Sequence, residues 1–476
     1  MTTETLGLVH QIFAEPELAF DAFDTSQRHS NPLSGLSQFQ PFSQRTWGGD
    51  KPAVRVATLG PADARTPLKA LLEQLRDPAS PAERRDYLPP YPGFAHAFGA
   101  SLVPAGAPAR IDLDPSVDED LKTSAHPHRL LGQTLTDGLD KLRILRHAFD
   151  VVVFYLPPRW QPYFETTDFH LHDHVKAHAA RLGITTQILT QDALDYRCRA
   201  SVRWRLATAL YANAGGTPYK LATGGLLDPS TAYIGLAYGV RDAGGPDQQF
   251  VVCCSQMFDA QGGGLDFIAH DLSDDIDVRN PLLSRDDMRT VISRSLAVYA
   301  DRHAGRRPSQ LVIHKQIPFT NDETAGAIDA WGTSTELTCL SINRPTWRGV
   351  LITGARDTKT GGRSYGYAVD RGTLAQLDDH SALLWVAGNA RPATLNRRNY
   401  LQGGKGTPRP LHITRHAGAG PLAEPAAQVL ALSKMDWNSD ALYSSLPVTI
   451  TYAQVLARVV KTERLSNLPY DFRLFM

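Results

Sequence analysis

Residues 150–157, DVVVFYLP, carry an unbroken apolar run from Val151 to Leu156. A strand with one wet face alternates apolar and polar residues, because successive side chains point to opposite sides. A run without alternation belongs to a strand covered on both faces, as in a parallel sheet sandwiched by helices. The flanking sequence supplies the helices. LLGQTLTDGLDKLRILRHAF (130–149) precedes the run. In HLHDHVKAHAARLGITTQIL (170–189), Leu171, Val175, Ala179 and Leu182 recur at helical spacing, with Thr167 or Asp168 as cap and Gly183 as stop. TTQIL then reads as a strand, and VRWRLATALYANAGG (202–216) as a helix ending in glycine. Strand, helix, strand, helix predicts a doubly wound α/β domain.

Upstream, AVRVATLGP (53–61) reads as a strand and TPLKALLEQLRD (66–77) as a helix. Residues 78–128, rich in Pro, Gly and Ala, read as a long irregular connection, and the polar residues 1–50 as an N-terminal arm. After Gly215–Gly216 the pattern changes. TAYIGLAYGV (231–240) and QQFVVCCSQMFD (248–259) flank the turn-rich RDAGGPD and predict a hairpin, with a third strand at 265–272. A helix at 286–304, strands at 310–318, 336–343, 349–355 and 381–387, and helices at 424–434 and 452–462 follow. A meander followed by strand–helix units predicts a mixed sheet of RNase H-like type, with the boundary near 215–230.

Formal net charge is zero, with 49 basic and 49 acidic residues, so a nucleic-acid case must rest on local charge. Cys198, Cys253, Cys254 and Cys339 are too few and too unevenly spaced for a disulfide framework or a zinc ribbon. The start MTTETLGLVH lacks the pattern of a signal peptide. No apolar stretch reaches the ~18 residues of a membrane span. These features predict a cytoplasmic protein with no membrane partner.

The histidines of 170–178 raise a metal reading. His170, His174 and His178 are four apart and share a helical face, and two histidines at that spacing can bind zinc. The run H-x-H-D-H is one residue short of the H-x-H-x-D-H of metallo-hydrolases, and no third ligand stands out elsewhere. A second pair fits a phosphate instead. His172 and Lys176 are also four apart, and Gln187 lies eleven further on, in the next strand. A phosphate needs cationic donors in fixed geometry near backbone amides.

This spacing resembles the MID domain of Argonaute proteins, in which Tyr or His, then Lys, then Gln bind the 5′-phosphate of a guide strand. The family places a further lysine on the next helix. LYANAGGTPYKLA has that context, with Asn213 at the lysine position and Lys220 as the compensating cation. The second half is similar to a PIWI domain. AYIGLAYG resembles the first strand, LVIHKQIPF the strand that usually reads H-R-D-G, GKGTPRPLHITRH the G-T-x-R-P segment, and SSLPVTITYAQVLARVV the segment leading to the last catalytic residue. YDFRLFM resembles the apolar C-terminus that tucks between the two domains.

The resemblance implies an α/β fold: an arm (1–50), a Rossmann-like MID domain (51–220) and an RNase H-like PIWI domain (221–476). It implies His172, Lys176, Gln187, Asn213 and Lys220 at the guide 5′-phosphate, with Mg2+ held through Gln187 and the C-terminal carboxylate of Met476. Cleavage in this fold needs two metal ions held by carboxylates. The carboxylate positions hold Ala237, Gln316 and Gln454, and neutral side chains cannot hold two hard dications. No catalytic residue is therefore expected, although Asp259, Asp266 and Glu323 could rebuild a site. From Arg391 to His416 no acidic residue occurs, and Arg398, Lys405, Arg409 and Arg415 are expected at the guide and target backbone. Too few residues precede 150 for further family domains. The chain therefore resembles a short prokaryotic Argonaute. Its implied partners are a guide RNA, a single-stranded DNA target from plasmid or phage, and an APAZ-containing effector subunit, sirtuin-like by preference, TIR or nuclease otherwise. Higher assembly on activation, NAD depletion and abortive infection follow from that analogy. The rival readings are a guide-dependent nuclease with a non-standard site, a metal-dependent hydrolase built on the histidine helix, and a scaffold subunit.

Overall fold

A computed structural model describes residues 9–47, 52–222, 224, 228–242, 249–271, 282–333, 335–349, 369–397, 407–463, 465–466 and 468–476. The N-terminal arm forms β1 (His10–Ile12), β2 (Leu18–Ala19), β3 (Arg28–His29) and α1 (Pro32–Phe39). It is woven into the second half of the chain. β1 adds to a strand near residue 375. Glu15, 3% exposed, meets Arg371 at 3.0 Å and Lys434 at 2.6 Å, both fully buried. The sequence reading missed this because each element is short and carries no period.

The first half holds β4 (Ala53–Pro61), α2 (Arg65–Arg76), α3 (Phe94–Phe98), β5 (Ser101–Pro104), β6 (Arg110–Leu113), α4 (Val117–Thr123), α5 (Pro127–Arg143), β7 (Val151–Leu156), α6 (Leu171–Arg181), β8 (Thr186–Thr190), α7 (Gln191–Asp195) and α8 (Arg199–Asn213). Its sheet runs β5–β4–β7–β8, all parallel, with β6 end to end with β5 along β4. Residues 78–128 thus contain two strands and two helices where an irregular connection was expected. Elements of four to seven residues are too short to show a period. Every residue of β7 is buried. Val152, Phe154 and Leu156 pack with α5 and α6, while Val151, Val153 and Tyr155 pack with α2 and α8. That two-sided cover is the cause of the unbroken run.

The second half opens with β9 (Lys220–Leu221), which joins β2 and β3 in a small sheet. It continues with β10 (Thr231–Asp242), β11 (Gln249–Phe258), β12 (Gly264–Asp271), α9 (Arg285–Arg302), β13 (Gln310–Lys315), α10 (Asn321–Trp331), β14 (Leu337–Asn343), β15 (Thr373–Gln376), β16 (Ser381–Trp385), β17 (Leu411–Ala417), α11 (Ala423–Leu432), α12 (Val448–Thr462) and β18 (Tyr470–Asp471). The ten-stranded sheet runs β1–β15–β16–β17–β14–β13–β10–β11–β12–β18. The expected hairpin is β10–β11, antiparallel, and β10, β13 and β14 are parallel. The strand expected at 349–355 lies outside the described residues beyond Gly349. Helix α10 went unread, although Thr320 and Glu323 form a capping box at its start.

Helix α12 lies directly on β10. A Cβ at Gly235 would sit 2.0 Å from the Thr449 carbonyl oxygen, and one at Gly239 2.6 Å from that of Ala457. These glycines bring the helix backbone into contact with the strand. Among the described residues no helix is long and apolar enough to cross a membrane.

Candidate functional site

Helix α6 turns Val175 and Ala179 into the core. Lys176 sits beside them, 2% exposed. Its ammonium donates to the Thr186 carbonyl at 2.7 Å and to the main-chain oxygen of Met476. Burial pushes its pKa down to about 7. The one-turn helix 472–475 delivers Met476, with Phe472, Leu474 and Phe475 buried, and it touches both α6 and α8. The C-terminal segment is thus tucked between the halves, as the resemblance implied.

Several buried polar atoms of β8 and α8 lack partners among the described residues. The Thr186 hydroxyl, the Gln187 Oε1 and both amide atoms of Asn213 are buried without a hydrogen bond. Asn213 is 3% exposed at the end of α8. Gln187 points away from Lys176. Its side chain lines a narrow apolar gap with Leu68, Leu71, Leu206 and Leu210, on the α2–α8 face of the sheet. Since Gln187 faces the opposite side of the sheet from Lys176 and the Met476 oxygen bonded to it, Gln187 and Met476 do not form a site for a hard dication in this arrangement. Lys220 is not free for a phosphate. It pairs with Asp259 at 2.7 Å and lies 5.5 Å from the centre of the Phe42 ring.

The histidines of α6 diverge. His174 bonds Glu463 at 2.6 Å, and His178 bonds Asp140 at 3.0 Å. The proposed metal face of His170, His174 and His178 is therefore split between carboxylates on two different elements. His170 caps the helix by accepting from the Asp173 amide. His172 meets Asp173 at 3.1 Å, and burial lowers its pKa. Ligand atoms of His170, His172 and Asp173 lie within 4.8 Å of one another. Arg458 of α12, however, holds both Asp173 oxygens, at 2.8 and 3.0 Å. Burial works to raise the Asp173 carboxyl, but the bonds from His172 and Arg458 hold it below the ordinary range. A metal ion would have to compete with the guanidinium for both oxygens.

Ala237, Gln316 and Gln454 come together in one cleft of about 490 Å³, between β10, the end of β13 and α12. They lie about 80 to 220 residues apart in sequence, and the Gly235 and Gly239 contacts bring them together. The Gln454 amide donates to Gln316 Oε1 at 2.5 Å. Among the described residues no carboxylate lines the cleft. The three acids that could have rebuilt a site are engaged elsewhere. Asp259 holds Lys220 and the amides of Gln261 and Gly263. Asp266 makes a two-pronged pair with Arg302. Glu323, 0% exposed, accepts from Lys315, Tyr238 and the Leu283 and Thr320 amides.

Within the basic run, Arg398 and Lys405 lie outside the described residues. Arg409 is exposed, whereas Arg415 donates to the Gly420 and Asp379 carbonyls and ties the sheet's loops. The sequence reading passed over Asp173, Arg458 and Lys461. Gln454, Arg458 and Lys461 share one face of α12 at helical spacing, a signal that was present in the sequence.

No protein-family model matches the sequence, and no curated protein matches it. Solved structures do. An Aquifex aeolicus Argonaute structure matches with a TM-score of 0.60 at 15% identity, over 98% of this chain and 57% of that one. A Clostridium butyricum Argonaute, bound to a guide DNA and a 19-mer target DNA, matches with a TM-score of 0.60 at 15% identity, over 99% and 55%. The chain thus spans somewhat more than half the length of these proteins. Its fold is that of Argonaute proteins, a Rossmann-like MID domain joined to an RNase H-like PIWI domain.

Proposed function

We propose that this protein holds the 5′-phosphate of a guide strand at Lys176 and His172 and presents the guide for pairing, without cutting the paired strand. One observation carries the reading. A buried ammonium, bonded to the Thr186 carbonyl and the terminal oxygen of Met476, sits beside the buried and unpaired Thr186 hydroxyl. Such groups are costly to bury unless a ligand completes them. A phosphate monoester supplies a further charge for Lys176 and an acceptor for the Thr186 hydroxyl. The His172 imidazole, 40% exposed, lies at the rim; its Nδ1 serves Asp173, so its Nε2 donates to a phosphate once the phosphate has drawn a proton onto the ring.

The absence of cutting rests on the amide-lined cleft at Ala237, Gln316 and Gln454. Pairing would supply sequence recognition, and basic groups such as Arg409, with Arg398 and Lys405, would hold the backbone. The finer reading is a cytoplasmic defence protein of the short prokaryotic type. It is loaded with guide RNA against single-stranded plasmid or phage DNA, and it activates an APAZ-containing effector subunit that depletes NAD and leads to abortive infection. A sirtuin-like effector is the preferred partner, with TIR or nuclease types as the other forms.

The test is extraction and sequencing of nucleic acid from the protein purified with its partner. Short 5′-phosphorylated RNAs are expected, and they should be lost in the His172→Ala/Lys176→Ala double variant. Wild-type retention by that variant, or the absence of small nucleic acids from the complex, would overturn the reading. Cleavage of a guide-matched target with Mg2+ or Mn2+ would overturn the claim that no cutting occurs.

A further inference from the structure

The cleft that lacks carboxylates has a chemistry of its own. Its α12 wall presents Gln454, Arg458 and Lys461, one to two turns apart on a single helical face. The opposite wall presents Gln316 and, deeper, Lys315. Lys315 is neutralised from behind by Glu323 at 2.5 Å, so it adds no net charge. Lys461 is exposed and makes no ion pair among the described residues. Arg458 is half-exposed while it holds Asp173 through Nε and Nη2. A guanidinium carries five N–H donors in a planar fork. The Nη1 group and the second Nη2 hydrogen therefore stay available without breaking the Asp173 pair. The Gln454–Gln316 bond uses one amide hydrogen of Gln454 and leaves the Gln316 NH2 free to donate.

A carboxylate-lined cleft captures dications first and reaches phosphate through them. A cleft lined by an ammonium, a guanidinium and amide donors meets phosphate directly. We infer that this cleft is a metal-free seat for one backbone phosphodiester of the strand paired to the guide, held by Lys461 and Arg458 with the Gln316–Gln454 amide pair. The inference rests on the guide-binding reading and extends it to a named point on the second strand. It also gives the cleft a link to the guide end. Arg458 bonds Asp173, and Asp173 bonds His172 on the same turn of α6. A phosphate drawn to Arg458 therefore bears on the residue pair next to the guide 5′-phosphate.

The experiment uses the full chain, with its partner and a guide, and measures affinity for complementary strands that each carry one neutral methylphosphonate linkage. Walking the linkage along the strand should reveal one position at which wild-type affinity falls about tenfold. The same linkage should cost nothing further in Lys461→Gln, whereas Lys461→Arg keeps the wild-type pattern. Lys461→Gln should also reduce the salt slope of affinity by about one. Guide-loaded protein that pairs with targets but shows the same linkage profile in wild type and Lys461→Gln would overturn the inference. So would competition by millimolar inorganic phosphate without any dependence on linkage position. Failure of the wild type to hold a guide would instead sink the parent reading.

Discussion

Replacing Lys176 by Met tests the buried ammonium most directly. Burial lowers its pKa from 10.5 to about 7. In the unfolded chain the amine keeps its ordinary value, so between pH 7 and 10.5 the unfolded state binds more protons than the folded one. Stability then rises with pH across that window. The penalty for the charged lysine is fully present below pH 7 and is relieved as pH climbs. From pH 6 to pH 9 the relief integrates to about 2.6 kcal/mol, at 1.36 kcal/mol per pKa unit. Methionine of similar volume does not titrate. Denaturant unfolding of guide-free protein at pH 6 and pH 9 should show the wild type gaining about 2–3 kcal/mol relative to Lys176→Met. A bound phosphate reverses the balance by pairing the ammonium and raising its pKa. Guide binding should therefore take up a proton. Its affinity should fall above pH 7 by up to about tenfold per pH unit, while Lys176→Met binds weakly at every pH. A wild-type-minus-variant stability that stays flat from pH 6 to 9, or a guide affinity independent of pH, would refute the reasoning.

Three further outcomes follow from the packing. Glu15→Ala should destabilise the fold by about 3–5 kcal/mol in thermal or denaturant unfolding, because Arg371 and Lys434 lose their common buried counter-charge. The triple substitution Ala237→Asp, Gln316→Asp, Gln454→Asp should give the cleft measurable Mn2+ binding by calorimetry, where the wild-type cleft shows none; no gain of binding would mean that the three positions do not converge as described. His314 is fully buried, its Nδ1 bonded to Thr449, and burial pulls its pKa down to about 3. Its folded value lies below its unfolded value, so stability falls as pH drops below 6.5, and His314→Gln should flatten that loss by about 3 kcal/mol at pH 4.

Much of the fold was legible because local patterns report local surroundings. The unbroken run in β7, the helical spacing of Leu171, Val175 and Ala179, and the turn-flanked pair β10–β11 each encode what covers them. The spacing of His172 and Lys176 likewise located one helix face, whose cation the structure buries. Helix α10 carried a readable capping box that was overlooked, so that miss was not a limit of the sequence. The short strands of 78–128 and the arm at 10–29 were not legible, since two to four residues hold no period.

Sequence alone determined the alternation of strands and helices, the helical spacing of His172 and Lys176 and the neutral residues at 237, 316 and 454. Those features depend on residue type and near-neighbour spacing. Tertiary structure decided that Gln187 faces away from Lys176, that Asp259 claims Lys220, and that Arg458 reaches Asp173 across 285 residues. It also decided that two glycines let α12 close the cleft on β10. No period in a chain records which of many charged groups will meet once the two halves pack. Burial sets those pairings, because an ion removed from water must find its partner in whatever surface the fold brings to it.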